Sequence, residues 1–207
     1  MSNDVRICFF GDRFVNGTRD GSFRGWPGRV SAWLHARGMQ LTAYNLGVRR
    51  DTSADVLARW RFEAQRRLPD SIDGRLVFSF GVNDCVEEDG MPRLILMDTL
   101  KNAERILAEA AAWKPTLVVG PPAITMAGQD SIIERIGAVS CGLEGVCSAA
   151  GVPYLDLFSA LIGEPEWQRE IAAGDGVHPS EAGYDRLADI ILQWPVWRDW
   201  LSSTTTS

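Results

Sequence analysis

The chain lacks a membrane span: no apolar run approaches the ~20 residues that cross a bilayer. It also lacks an excess of positive charge. The formal charge is −6 and the pI is near 5. No basic face is therefore expected for a phosphate backbone, and nucleic acid is excluded as a main partner. The apolar-rich start is short and broken by Arg6, whereas a secretory leader needs a longer apolar region behind a basic start. CxxC spacing is absent. Cys8, Cys85, Cys141 and Cys147 stand apart without a histidine-rich neighbourhood, which argues against zinc. In a chain with no leader they are expected to be reduced core thiols of a cytoplasmic protein. Histidine is scarcer still, with only His35 and His178. Internal repeats and long linkers are missing. The one low-complexity run, 202–207 (SSTTTS), is expected to fray.

What is present is ordinary globular material. A length of 207 residues suffices for one domain, 1–207, with a real core. Short β-rich runs alternate with longer helical patterns. The predicted strands are 5–10 (VRICFF), 40–46, 75–80 (RLVFSF), 116–120 (TLVVG) and 153–157 (PYLDL). Near-continuous apolar runs suit strands buried on both faces of a parallel sheet. The predicted helices are 26–37, 51–68, 92–113, 130–150 and 180–193. Val30, Trp33 and Leu34 share a face of the first; Val56, Leu57 and Trp60 recur at helical spacing in the second. The second opens on an Asp-Thr-Ser start signal. The third carries a stripe of Leu96, Leu100, Ala103 and Leu107. Strand followed by helix, repeated along the chain, predicts a three-layer α/β/α sandwich on a flavodoxin-like, five-stranded parallel sheet.

In such sheets ligands bind beyond the carboxyl ends of the strands. Three of those ends read Gly11-Asp12-Arg13, Asn45-Leu46-Gly47 and Gly81-Val82-Asn83-Asp84. Near the C-terminus lies Asp175-Gly176-Val177-His178, just before a helix. The short loop lets the Asp175 carboxylate orient one nitrogen of His178 while the other faces the cleft, as the acid does in a serine triad. His35 sits inside an amphipathic pattern and reads as a packing or surface residue.

These blocks, in this order, resemble the SGNH (GDSL-type) esterase and lipase family, and the resemblance runs over essentially the whole chain. It implies an ester hydrolase with His178 and Asp175 catalytic, no metal and no organic cofactor. It implies an oxyanion hole of Gly47, Asn83 and the backbone N–H of residue 13. One departure stands out: the family's Gly-Asp-Ser turn has Arg13 at the nucleophile position. A guanidinium stays protonated and offers no lone pair, so Arg13 cannot attack an acyl carbon. Asp12 is expected to support it as an ion-pair partner. Thr18, Ser22, Thr52 and Ser53 are the nearby hydroxyls, and none stands at the strand-end turn.

The resemblance therefore implies a hydrolase of small acyl esters with reduced or altered activity. The alternative is a non-catalytic module that binds an anion or carboxylate on a degenerate hydrolase frame. Either takes a small-molecule ester or carboxylate as its partner. The run Arg49 to Ser53 is read either as the pocket rim or as a solvated helix start. Trp194, Trp197 and Trp200 recur around Pro195. They read as a docked C-terminal segment, or, if exposed, as a homodimer surface.

Overall fold

A computed structural model describes residues 4–124 and 130–202. β1 (Val5–Gly11) shows why the sheet forms. Val5, Ile7 and Phe9 point into one core, while Cys8 and Phe10 point into the other, the period-two alternation of a pleated strand. After β1 come α1 (Arg13–Asn16), α2 (Gly25–His35), β2 (Leu41–Gly47) and α3 (Ser53–Gln65). β3 (Asp73–Ser79) and the short α4 (Val82–Cys85) lead to a hairpin, β4 (Glu87–Glu88) with β5 (Met91–Pro92). The long α5 (Leu96–Ala111), β6 (Thr116–Val119), α6 (Asp130–Ala150) and β7 (Tyr154–Leu155) follow. The chain then runs through α7 (Leu157–Ile162), α8 (Pro165–Ala172), α9 (Glu181–Gln193) and α10 (Pro195–Ser202).

The main sheet has five strands in the order β2-β1-β3-β6-β7, every pair parallel. α3, α5 and α6 cover one face through Val56, Trp60, Ala103, Leu107 and Ile136, against Cys8, Phe10, Leu76, Phe78 and Val118. The other face lies under α2 and α7 to α10, with Trp26, Leu157, Trp167, Tyr184 and Trp197 against Val77, Leu117 and Val119. This is the three-layer α/β/α sandwich expected from the sequence. Register places the site: Gly11 pairs with Gly47 and with Ser79, so the three strands end level with one another.

Several expectations need correction. The helix expected over 92–113 starts at Leu96. Pro92 pairs in β5, and the Arg93 and Leu94 N–H groups donate to Val86 and Asp84 carbonyls. Leu96 is exposed rather than part of the apolar stripe. The strand expected over 153–157 shrinks to Tyr154–Leu155 because Asp156 caps α7, accepting from the Ser159 N–H. β2 is an edge strand with Thr42, Ala43 and Asn45 exposed and no residue fully buried, not one buried on both faces. The cap of α3 falls on Thr52, with a reciprocal box to Asp55. Cys141 is exposed; only Cys8, Cys85 and Cys147 are core thiols, and burial pushes each of these up to about 12.

The tryptophan stripe is docked. Trp197 and Trp200 are buried with rings 5.5 Å apart, and Trp194 packs partly against the same core. The homodimer that an exposed stripe would predict loses its basis. Of the tail expected to fray, Ser202 ends α10, and 203–207 lie outside the described residues. Among the described residues no helix is long and apolar enough to cross a membrane.

Candidate active site

β1 delivers Asp12 and Arg13 to the carboxyl edge of the sheet. Asp12 caps α1, accepting the Phe14 N–H at 2.9 Å. Its carboxyl group is buried, which pushes it up to about 6, while the neighbouring charge of Arg13 pulls it back. β2 delivers Gly47, where the Asn16 backbone nitrogen comes within 2.2 Å of the place a Cβ would occupy. Only glycine allows α1 to lie so close. Past β3, Gly81 turns the chain with φ +119°, a left-handed conformation that favours glycine, and opens α4 with Asn83 buried behind it.

The structure brings His178 and Asp175 together. Asp175 Oδ2 lies 2.8 Å from His178 Nδ1, and Oδ1 accepts the backbone N–H groups of Val177 and His178. The carboxylate therefore locks both loop and ring. The ring is buried beside Phe14, with centroids 6.3 Å apart. Burial moves the imidazole below its ordinary value; the Asp175 hydrogen bond opposes this, and the charges of Arg13 and Arg49 reinforce it. The balance favours the neutral imidazole. With Nδ1–H given to Asp175, the lone pair sits on Nε2, which is buried and has no hydrogen-bond partner among the described residues.

Arg13 is the first residue of α1 and is half-buried. Its Nε is buried without a partner, and it forms no ion pair with any carboxylate of the described residues. The expected pairing with Asp12 is absent: Asp12 spends its oxygens on the Phe14 N–H and, at 3.4 Å, on Asn83 Nδ2. Desolvation lowers the affinity of Arg13 for its proton, and the charges of Asp12 and Asp175 restore it in part.

The other donors in the cleft are engaged. The Gly47 N–H donates to Asn45 Oδ1 at 3.1 Å, and Asn83 Nδ2 donates to the Asp51 carbonyl at 2.8 Å. The nearby hydroxyls are taken as well. Ser53 is fully buried and donates to Asp84, Thr52 donates to Asp55, Ser22 to Asp20, and Thr18 to Asn16. Arg49 and Arg50 are exposed on the rim, while Thr52 and Ser53 belong to the capped helix start, so the run divides between its two readings. His35 is exposed on α2.

Three residues that shape the site carried no signal in the sequence. Arg59 on α3 donates to the Gly11 and Leu46 carbonyls at 3.1 and 2.9 Å and to Asp51 at 2.7 Å, stitching two strand ends to the loop that holds Asn83. Tyr184 donates to the Thr18 carbonyl at 2.9 Å, tying α9 to the loop after α1. Arg19 pairs with Asp175 at 2.8 Å. The Tyr184 and Arg19 contacts and the Arg59–Gly11 contact join residues far apart in the chain, where no local spacing rule applies.

The carboxyl ends of a parallel sheet thus face a paired histidine and aspartate. Residues 9–186 match the GDSL-like lipase/acylhydrolase family, and the chain belongs to that family of ester hydrolases. It is 26% identical over 197 residues to a GDSL lipase of Mycobacterium tuberculosis, covering 89% of this chain and 79% of that protein. The fold is similar to the crystal structure of a lipase/acylhydrolase from Enterococcus faecalis, with TM-score 0.74, 24% identity, and coverage of 91% of this chain and 93% of that one. An acetylxylan esterase from Geobacillus stearothermophilus superposes with TM-score 0.74 at 21% identity, over 93% and 95% of the two chains.

Proposed function

We propose that this chain hydrolyses small acyl esters without a covalent acyl-enzyme, with Arg13 at the family's nucleophile position and water in place of the serine. The observation that carries the reading is the His178 imidazole: Nδ1 is 2.8 Å from Asp175, and the buried Nε2 is left without a hydrogen bond from any of the described residues. In a serine hydrolase that nitrogen receives the proton of the attacking hydroxyl. Here the hydroxyls of Thr18, Ser22, Thr52 and Ser53 all point elsewhere.

The chemistry follows from the remaining groups. His178 Nε2 takes a proton from water, and the hydroxide forms a bond to the acyl carbon. The carbonyl electron pair moves to oxygen, where the free guanidinium of Arg13 donates to the developing oxyanion. On collapse the C–O bond to the alcohol breaks. The departing alkoxide takes the proton back from His178, leaving acid and alcohol. Asp175 orients the ring and stabilises the transient imidazolium.

Turnover is expected to be weak, because frames lacking one triad member keep only about 10³–10⁴-fold catalysis over water. The test compares the parent with Arg13→Ser on p-nitrophenyl acetate and butyrate. The parent should turn over slowly, with no burst and no labelling by a serine-directed phosphonate. Arg13→Ser should gain at least about 10²-fold and become labelled. A burst or stoichiometric labelling of the parent would overturn the reading.

A second reading rests on Arg13 itself. A half-buried guanidinium with an orphaned Nε is an anion receptor, able to grip a carboxylate by a forked, charge-assisted contact. As a pure binding module the chain would bind small carboxylates in calorimetry, lose that binding in Arg13→Ala, and hydrolyse neither ester.

A further inference from the structure

Asp175 Oδ2 serves two donors. One is the His178 ring nitrogen at 2.8 Å; the other is Arg19 Nη1, also at 2.8 Å, from the loop between α1 and α2. Arg19 has φ +69°, a left-handed conformation that a non-glycine residue adopts only at a cost in backbone strain. The ion pair it makes is half-exposed on both sides, and such solvated pairs add little to stability. The ion pair alone therefore does not account for the geometry.

The loop is built to hold that conformation. On one side of Arg19, the Thr18 N–H donates to the Arg13 carbonyl at 3.0 Å, and the Thr18 carbonyl accepts from Tyr184 at 2.9 Å. On the other side, the buried Asp20 carboxylate accepts the N–H groups of Ser22, Arg24 and Gly25 and is clamped by Arg29. Both neighbours of Arg19 are immobilised, and its guanidinium is delivered to the dyad from 156 residues away in sequence.

We propose that Arg19 is a positioning residue for the dyad: it grips the Asp175 carboxylate and limits how far that carboxylate can stabilise the imidazolium of His178. The inference rests on the reading of His178 as the base. A carboxylate that shares one oxygen between a ring N–H and a guanidinium has less negative charge to give the ring. The other charged groups around the ring are Arg13 from α1, Arg49 from the loop after β2 and Glu170 from α8. Glu170 is turned to the Ser180 N–H at 2.8 Å. Asp175 is thus the acid on which the protonated ring depends, and Arg19 competes for it directly.

The test follows the His178 imidazole by NMR across pH, with the exposed His35 as internal reference. In Arg19→Ala the His178 midpoint should rise by about half a pH unit, the size of an exposed ion pair. Arg19→Lys, which keeps the charge, should stay near the parent. Where ester turnover is measurable, the acid limb of kcat/KM should move up in pH by the same amount in Arg19→Ala. An unchanged His178 midpoint in Arg19→Ala, with the melting curve retained, would overturn the proposal. The NMR arm needs no turnover, so a chain that hydrolyses no ester yet shows the shifted midpoint sinks the hydrolytic reading alone.

Discussion

Two arginines near one edge of the sheet meet opposite fates. Arg29, on α2, is buried among acids: it is hydrogen-bonded to Asp20 and Asp185 and also donates to the Gly25 and Glu181 carbonyls. Arg13, on α1, forms no ion pair with the described residues and leaves a buried Nε unmet. A cation taken out of water costs several kcal/mol unless its donors are satisfied. Satisfied donors make Arg29 part of the scaffold, joining α2 to α9 beneath the His178 loop. The unmet Nε leaves Arg13 outside that scaffold.

The contrast can be broken by measurement. The largest expected effect is on the scaffold: Arg29→Ala leaves Asp20 buried and unpaired and should cost about 3–5 kcal/mol in denaturant unfolding. A loss below about 1 kcal/mol would mean the cluster holds nothing together. Next in size is the pH response of the site. The base acts only when neutral, and burial sets its midpoint below the ordinary 6.5. On p-nitrophenyl acetate, kcat/KM should therefore stay level down to a midpoint below 6.5, then fall about tenfold per pH unit. A midpoint above 6.5 would show Asp175 outweighing burial and the flanking arginines.

Arg13→Ala should be nearly silent in stability, within about 1 kcal/mol of the parent and on the stabilising side, because it removes a charge without a protein partner. A loss as large as that of Arg29→Ala would show that Arg13 has a structural partner after all. Smallest is Asp185→Ala. Its carboxylate is mostly exposed, and its removal leaves Arg29 on Asp20, so a loss of about 0.5 kcal/mol is expected in the same unfolding assay.

Most of the frame was legible because it is written in local periodicity. The near-continuous apolar runs VRICFF and RLVFSF mark strands with two buried faces, and the sheet puts both in its interior. β2 was legible as a strand but not as an edge, since its exposure depends on having no neighbour beyond it. The start of α5 was misplaced because Pro92 and the residues after it answer to a hairpin partner rather than to helix propensity. In the site, the pairing of His178 with Asp175 was readable from a spacing of three residues, as was the location of Asp12 and Arg13 at a strand end. That the Gly47 N–H and the Asn83 amide already have partners was not readable. Asn83 finds its partner in the Asp51 carbonyl of another loop.

Taken alone, the chain determined its strands, its main helices, the edge of the sheet where chemistry gathers, and the loop that aims one imidazole at it. These depend on contacts a few residues long, where backbone geometry leaves few choices. Only the folded molecule decided which charges are answered. Arg29 meets Asp185 and Arg19 meets Asp175 across 156 residues each, while Arg13 forms no ion pair among the described residues. Those outcomes depend on how separate segments pack, and packing brings together residues whose distance along the chain carries no information.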